Sequence, residues 1–240
     1  EDAAKKKPFA QYSIEDEGGD REAVRIMDNY GNIFYCRKGS VGDDKTQIML
    51  TAKQPVLYKT KKDIEEYTSA AEKYGLDVDE ETECKGISYV EFYVPRGRTA
   101  QIAEFYDCVF DATTTVFTDP STKDGVAIVA CGNIDEVGRA SQNLIFRESD
   151  MELPKYDGHH VALYVGNDKA DFEQAFKNVL EAQVLWVNPR FSDKVTNLNT
   201  AKKWKQLRFK NITDLKTGKK IFELEHECRS VEHDAWPGKN

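Results

Sequence analysis

One order of predicted elements occurs twice in this sequence, and the repetition limits the fold more than any other feature does. Residues 86–150 read as a strand, a helix and three further strands. Residues 156–230 repeat that order. Strands that follow one another directly pair mostly antiparallel, and an internal repeat makes each copy one structural unit. The sequence therefore predicts an α+β protein built from two tandem βαβββ modules.

Hydrophobic periodicity defines the elements within each copy. Ile87–Val94 and His159–Val165 open the two copies as strands. The helices that follow, Ala100–Asp111 and Asp168–Ala182, carry apolar residues on one face, which is typical of a helix that packs on a sheet. Thr99 is the predicted N-cap of the first helix. The remaining strands are predicted at 114–118, 125–132 and 142–148 in the first copy, and at 184–187, 207–212 and 220–227 in the second.

The residues outside the two modules divide into three parts. Residues 1–21 are charged, have little apolar surface to bury, and are predicted as a flexible arm. Residues 22–85 form an extension with a β-hairpin over Ala23–Arg37, strands within Gln47–Tyr58 and a helix over Lys61–Tyr74. Asn and Gly in the hairpin loop supply the backbone conformations that a tight turn needs. Residues 231–240 are a C-terminal tail.

Charge and cysteine content exclude several classes of protein. The net charge of −8 argues against nucleic acid as the main partner, and no apolar run approaches the roughly 20 residues of a membrane span. Five scattered cysteines without a CxxC pair argue against a zinc ribbon or a disulfide scaffold, and predict free thiols in an intracellular reducing compartment. The chain begins at Glu1 rather than Met, so a plastid or mitochondrion, reached by means of a removed targeting peptide, stays an alternative.

Several segments resemble a known family. They are GISYVEFYVPRGRTAQIAEFYDCVF, NLIFRES, PKYDGHHVALYV, LRFKNITD and FELEHECRSVEH. Together they resemble the vicinal oxygen chelate superfamily, also called glyoxalase/bleomycin-resistance proteins. The resemblance implies a glyoxalase-like domain in which each module forms a curved sheet and the paired sheets enclose a cleft. It also implies that metal-dependent members take four ligands from the first and last strands of the two modules.

The metal ligand set that the resemblance implies is incomplete in this sequence. His160 and Glu223 match the two ligand positions of the second module. In the first module Tyr89 stands where His160 stands in the second, and Glu91 is a substitute two residues further on the same face. The predicted metal ligands are therefore His160, Glu223 and Glu91, and the predicted cofactor is either one divalent ion or none.

An alternative is that the polar residues of the cleft stabilise one another. Alternation along the strands predicts a shared cleft face for Tyr89, Glu91, Tyr93, Arg147, His160, Tyr164, Arg208 and Glu225. Because buried charges must be paired, the arginines, Lys210 and the glutamates of this face would form a network of salt bridges. We favour this network over the metal site. The polar segment Asn188–Trp204 is either a lid or an exposed insertion.

Three functions follow from these alternatives. We favour a non-catalytic binding or assembly module with a degenerate metal site, an accessory subunit of a larger complex with protein partners. The second is a metal-dependent lyase, isomerase or dioxygenase that uses Glu91, His160 and Glu223. The third is a metal-free binder of small molecules with a tyrosine-lined cleft. None of the three involves nucleic acid or a transmembrane segment.

Overall fold

The computed structural model describes residues 89–134, 140–153 and 155–236, together with the backbone of three strands near the N-terminus. The chain divides into two units, Glu1–Ile48 and Met49–Asn240, which are treated separately. Within the described residues no helix has the length and apolarity needed to cross a membrane. The strands predicted within Gln47–Tyr58 and the helix predicted at Lys61–Tyr74 lie outside the described residues.

The N-terminal unit contains an antiparallel sheet in the order β1-β2-β3. Its strands are β1 (Ala10–Asp16), β2 (Glu22–Asp28) and β3 (Ile33–Arg37). Val24 pairs with Cys36 across the predicted hairpin, and with Ile14 on its other side. The sequence places β1 in a flexible arm, whereas the structure pairs it with β2. Tyr12 and Ile14 alternate with polar residues there, and this period-2 pattern favours a strand even in a charged segment.

The first module has a four-stranded sheet in the order β4-β7-β6-β5. Its elements are β4 (Tyr89–Pro95), α1 (Thr99–Phe110), β5 (Thr114–Thr118), β6 (Gly125–Ile134) and β7 (Ala140–Ser149). The first and last strands, β4 and β7, are parallel, and the other neighbours are antiparallel. A parallel pair needs a long crossover, which α1 and the β5–β6 hairpin supply.

The second module repeats this topology in the order β8-β10-β9, again with its first and last strands parallel. Its elements are β8 (His160–Val165), α2 (Lys169–Glu181), α3 (Leu198–Trp204), β9 (Gln206–Thr213) and β10 (Lys220–Ser230). The strand predicted at 184–187 is reduced to one bridge between Leu185 and Phe209. The predicted α+β class with two βαβββ-type modules is confirmed.

Helix α3 lies inside the segment predicted as a lid or an insertion. Asn197 caps it, because its side-chain oxygen accepts a hydrogen bond from the Thr200 amide at 3.0 Å. The Thr200 hydroxyl lies 3.1 Å from the Asn197 amide in return, which completes a capping box. The sequence analysis did not predict this helix, and the spacing of Asn197 and Thr200 is the signal that would have indicated it.

One hydrophobic core joins the two modules. Helix α1 contributes Phe105 and Tyr106, whose rings lie 5.7 Å from Phe209 of β9 and 5.5 Å from Phe146 of β7 respectively. All four side chains are buried. Each fully buried ring of this size contributes about 1.5–3 kcal/mol, so α1 stabilises both sheets at once. The faces of the sheets that turn away from this core carry the candidate site.

The N-terminus of α1 is capped from a distant strand. Glu148 of β7 accepts hydrogen bonds at 2.9 Å from the Arg98 amide and the Thr99 hydroxyl, and at 3.2 Å from the Thr99 amide. Thr99 was predicted as the N-cap, but it is the first residue of the helix and Glu148 supplies the acceptor. A carboxylate at this end also complements the helix dipole.

We expect Glu148→Ala to lower the free energy of unfolding by about 1–2 kcal/mol, because three donors at the start of α1 lose their acceptor. Glu148→Gln keeps an acceptor oxygen without the charge and should lose less. Urea unfolding measures both, and Glu152→Ala, on the exposed connection after β7, is the matched control. Equal stability of Glu148→Ala and that control would contradict the capping role.

Candidate functional site

The acidic side chains of β10 lie on the face that points away from the helices. Leu224 and His226 are buried in the core, and the residues next to them along the strand point to the opposite face. Glu223, Glu225 and Glu227 are those residues, and the basic side chains of β9 meet them there. The strand alternation predicted this shared face.

Arg208 of β9 is the centre of a buried ionic cluster on this face. Its guanidinium lies 2.8 Å from Asp193, 3.0 Å from Glu225 and 2.5 Å from Glu227. The four side chains are between 1% and 7% exposed. Arg229 pairs with the other oxygen of Glu227. A guanidinium carries five N–H donors in a planar fork, so it can satisfy several carboxylates at once with less rearrangement than a lysine ammonium.

The segment that connects α2 to α3 covers this cluster. Asn188 donates its side-chain amide to both Glu225 oxygens, at 2.9 and 3.1 Å. The ring of Phe191 lies 4.3 Å from the Arg208 guanidinium, and Asp193 supplies one of the carboxylates. Part of the predicted lid, residues 188–193, is therefore packed against the sheet, where its polar groups complete the hydrogen bonding of the cluster.

The electrostatics of the cluster keep Glu225 ionised. Burial by itself would raise the pKa of the Glu225 carboxyl, but hydrogen bonds from Tyr156 and Asn188 and the charge of Arg208 outweigh it, so the pKa is lowered. The Tyr156 hydroxyl donates to Glu225 at 2.5 Å. Burial, followed by that carboxylate, raises the pKa of the Tyr156 hydroxyl. Tyr156 is therefore a neutral donor here.

A second ionic pair lies further along the same strands. Glu223 accepts from Lys210 and from Lys220, both at 2.8 Å. These two hydrogen bonds lower the pKa of the Glu223 carboxyl. The Lys210 ammonium also lies 5.1 Å from the Tyr156 ring and 5.3 Å from the Trp186 ring. The predicted metal ligand Glu223 thus has two cationic partners.

The corresponding face of the first module holds a smaller cluster. Arg147 of β7 lies 3.1 Å from Glu91 of β4 and 2.9 Å from Asp119 after β5. These side chains are 18–25% exposed, so water screens them more than it screens the Arg208 cluster. Hydrogen bonds from the Ser121 hydroxyl and then from Arg147 lower the pKa of the Asp119 carboxyl. Glu91, the substitute metal ligand, is engaged by an arginine.

The remaining predicted cleft residues are dispersed. His160 is exposed at the start of β8, where its backbone is in register with Glu225. The Tyr164 hydroxyl donates to the Ala235 carbonyl at 2.5 Å, and its ring lies 4.6 Å from Trp236, so the C-terminal segment covers it. Tyr93 is 45% exposed, and Tyr89 is half-buried beside β7.

His226 is a structural residue that the sequence reasoning missed. It is fully buried, and its Nε2 lies 2.6 Å from the Tyr106 hydroxyl of α1. Its Nδ1 lies 2.8 Å from the Leu224 carbonyl, which can only accept, so Nδ1 carries the proton and Nε2 accepts from Tyr106. Phe209 stacks on the imidazole at 4.1 Å. The signal was alternation, which puts His226 on the apolar side of β10.

The donor set does not fit a divalent metal as it stands. Glu91 and Glu223 accept from cationic side chains, and the structure groups no three His, Cys, Asp or Glu side chains around a common point within the residues it describes. A metal ion would compete with an arginine at Glu91 and with two lysines at Glu223. The two faces instead carry two clusters of ion pairs, one around Arg208, which is buried, and one around Arg147, which is partly exposed.

Comparison with known proteins gives no matching family model and no matching curated protein. Solved structures do match. One is the fosfomycin resistance protein FosX from Listeria monocytogenes complexed with Mn(II) and 1S,2S-dihydroxypropylphosphonic acid, 12% identical over 61% of this chain and 93% of that chain, with a TM-score of 0.38. Another is a putative glyoxalase family protein from Bacillus anthracis, 15% identical over 62% and 97%, with a TM-score of 0.40.

A third is lactoylglutathione lyase from Agrobacterium tumefaciens, 13% identical over 62% of this chain and 96% of that chain, with a TM-score of 0.34. What each of them binds or converts is a property of that protein.

Proposed function

We propose that this chain is a non-catalytic binding and assembly module, in which an ionic cluster stands where a metal-dependent relative would hold its ion. The observation that carries the proposal is Arg208. Its guanidinium, 5% exposed, contacts three carboxylates on the face where the resemblance places metal ligands. An arginine that is held by three carboxylates occupies the oxygens that a metal ion would need as ligands.

The carboxylates of both modules support the same proposal. Glu223 and Glu225 of the second module, and Glu91 of the first, each accept from arginine or lysine at 2.8–3.1 Å. A metal ion would have to displace these cations and leave them without their partners. At Glu225, whose pair with Arg208 is buried, removing one partner costs about 3–5 kcal/mol, whereas the more exposed pairs of Glu91 and Glu223 lose less. Such a face is better suited to stabilising the fold of the modules than to binding and releasing a metal ion.

Metal content tests the non-catalytic part of the proposal. We expect the chain, purified without chelators, to contain far less than one equivalent of Mn, Fe, Co, Ni or Zn. Adding each ion should leave the midpoint of thermal unfolding unchanged, since an ion that bound only the folded state would raise it. The control is the His160→Ala, Glu223→Gln double variant. One equivalent of metal in the original chain, lost in this variant, would overturn the proposal in favour of the metal-dependent enzyme.

The assembly part needs a separate measurement. In native extracts of the cells that produce it, detected with an antibody, this chain should migrate as a particle much larger than the purified chain. The control is the purified chain added to an extract from which this chain has been removed and in which the other proteins have been denatured, so that no folded partner remains. Migration at the size of the purified chain in both samples would contradict assembly and leave a metal-free binder of small molecules.

A further inference from the structure

The outer edge of the first sheet is an uncharged strand. Strand β5 ends the order β4-β7-β6-β5, and its sequence TTVFT contains only β-branched and aromatic residues. Val116, at its centre, is 45% exposed. Natural edge strands are commonly protected by lysine, proline or a bulge. Strand β5 has none of these and pairs with β6 in an unbroken register from Thr114 to Thr118.

The hydrogen bonds around β5 identify the backbone groups that point away from the sheet. Ala130 donates to the Thr113 carbonyl at 2.9 Å, and Asp119 donates to the Asp124 carbonyl at 2.8 Å. Both pairs continue the register between β5 and β6. Because hydrogen-bonded and non-hydrogen-bonded pairs alternate along an antiparallel ladder, the residues that bond to β6 are those at positions 113, 115, 117 and 119. The amides and carbonyls of Thr114, Val116 and Thr118 therefore point outward.

This outward row is complementary to itself. If two copies of β5 align antiparallel with Val116 opposite Val116, then Thr114 of each copy lies opposite Thr118 of the other. All three positions carry outward-facing groups, and each hydrogen-bonded pair exchanges two N–H···O=C bonds, giving six bonds across the two-fold axis. We propose that β5 is a homodimerisation edge that joins two copies of this chain through one continuous sheet. The inference does not depend on the proposed function.

The side chains that would meet at this edge are compatible with it. Thr114 and Thr118 form cross-strand threonine pairs, Val116 meets itself, and no charged side chain of β5 faces its own copy. Each such pair adds a small favourable contribution to the pairing of the two strands. Five residues a side cover far less area than the roughly 800 Å² per partner of a standard interface. The expected dimer is therefore weak and forms at high micromolar concentration.

Sedimentation of the full chain tests the edge. We expect the weight-average mass to rise toward twice that of the chain between about 1 and 500 µM. Val116→Lys should weaken the dimer at least roughly tenfold, because it places two like charges directly opposite each other. Thr115→Lys is the matched control. It adds the same charge at an exposed neighbouring position that lies opposite Phe117 rather than itself, and it should keep the dimer.

Hydrogen exchange distinguishes this edge from any other dimer surface. The amides of Thr115 and Phe117 bond to β6 and should exchange slowly at every protein concentration. The amides of Thr114, Val116 and Thr118 should exchange rapidly in dilute protein and at least tenfold more slowly in concentrated protein. Each of three results would overturn the proposal. They are a weight-average mass that stays at that of a single chain at every concentration, a dimer that persists in Val116→Lys, and hydrogen exchange at Val116 that does not depend on protein concentration.

Discussion

Replacing Arg208 with methionine should lower the free energy of unfolding by about 3–5 kcal/mol, the largest effect of any single substitution proposed here. The variant leaves Asp193, Glu225 and Glu227 buried together without the guanidinium that contacts all three. Natural domains are stable by only about 5–15 kcal/mol, so much of the variant should be unfolded in moderate urea. Urea unfolding followed by circular dichroism at pH 7 measures the loss.

The matched control is Arg147→Met in the first module. Arg147 also contacts two carboxylates, but its side chain is 22% exposed against 5% for Arg208. Because solvent screens the exposed cluster, we expect a loss of about 1 kcal/mol there. Equal losses of unfolding free energy for the two arginine variants would contradict the distinction between a buried cluster and a solvent-accessible one.

Removing the orphaned charges should rescue the Arg208 variant in part. Glu225→Gln and Glu227→Gln, combined with Arg208→Met, replace two buried carboxylates with neutral amides of the same shape. Lowering the pH should shrink the deficit of Arg208→Met relative to the original chain at the same pH, since protonation neutralises the unpaired carboxylates of the variant. A deficit that does not depend on pH, with no rescue by the glutamines, would show that the arginine acts through packing.

Acidification from pH 6.5 to 4.5 should lower the free energy of unfolding by about 2–3 kcal/mol through His226 alone. Burial, the dominant cause, lowers the pKa of His226 from 6.5 to about 3 in the folded protein. Below pH 6.5 the unfolded chain binds a proton that the folded chain rejects, so stability falls as the pH falls. The loss continues until the pH reaches the folded pKa.

The window from pH 6.5 to 4.5 separates this effect from the carboxylates. Hydrogen bonds and charge lower the pKa values of Glu223 and Glu225 from an ordinary 4.5, so their contributions are lost only at lower pH. The pKa of His233 is also lowered by burial, so His233→Gln serves as the reference background.

Adding His226→Gln to that background should remove most of the dependence of the free energy of unfolding on pH between 6.5 and 4.5. Glutamine keeps an acceptor for the Tyr106 hydroxyl and does not titrate. The measurement is urea unfolding at half-unit pH steps. His160→Gln, at an exposed histidine, is the second control and should leave the slope in place. A slope that persists in His226→Gln would refute the assignment.

The helices and most strands of the two modules could be predicted from the sequence because local periodicity determines them. Helix α2 and strands β6, β8 and β10 fall close to their predicted positions, since apolar residues repeat with the period of each element. The strand predicted at 184–187 has the same local pattern, but it forms only one bridge to β9, between Leu185 and Phe209, beside a hydrogen bond from the Trp186 amide to the Arg208 carbonyl. Whether a β-prone segment becomes a strand depends on a neighbour in register, which local sequence does not specify.

The sequence predicted which residues of the candidate site share one face of the sheet, but not which of these residues contact one another. Alternation placed Glu223 and Glu225 on the face of Arg208, where the structure pairs Glu225 with Arg208 and Glu223 with Lys210. Asp193 and Asn188 were not assigned to it, because a connecting segment brings them over the sheet. Such contacts join residues from separate elements.

The sequence by itself determined the repeated βαβββ order, the acidic row of β10 and the apolar face that His226 shares, because each depends on spacing within one element. Only the tertiary structure decided that Glu148 caps α1, that Tyr106 is the partner of His226, and that Arg208 takes three carboxylates. Each of these contacts joins residues far apart in the chain or depends on how a loop packs. Their formation follows from how the sheets, helices and covering loop pack together.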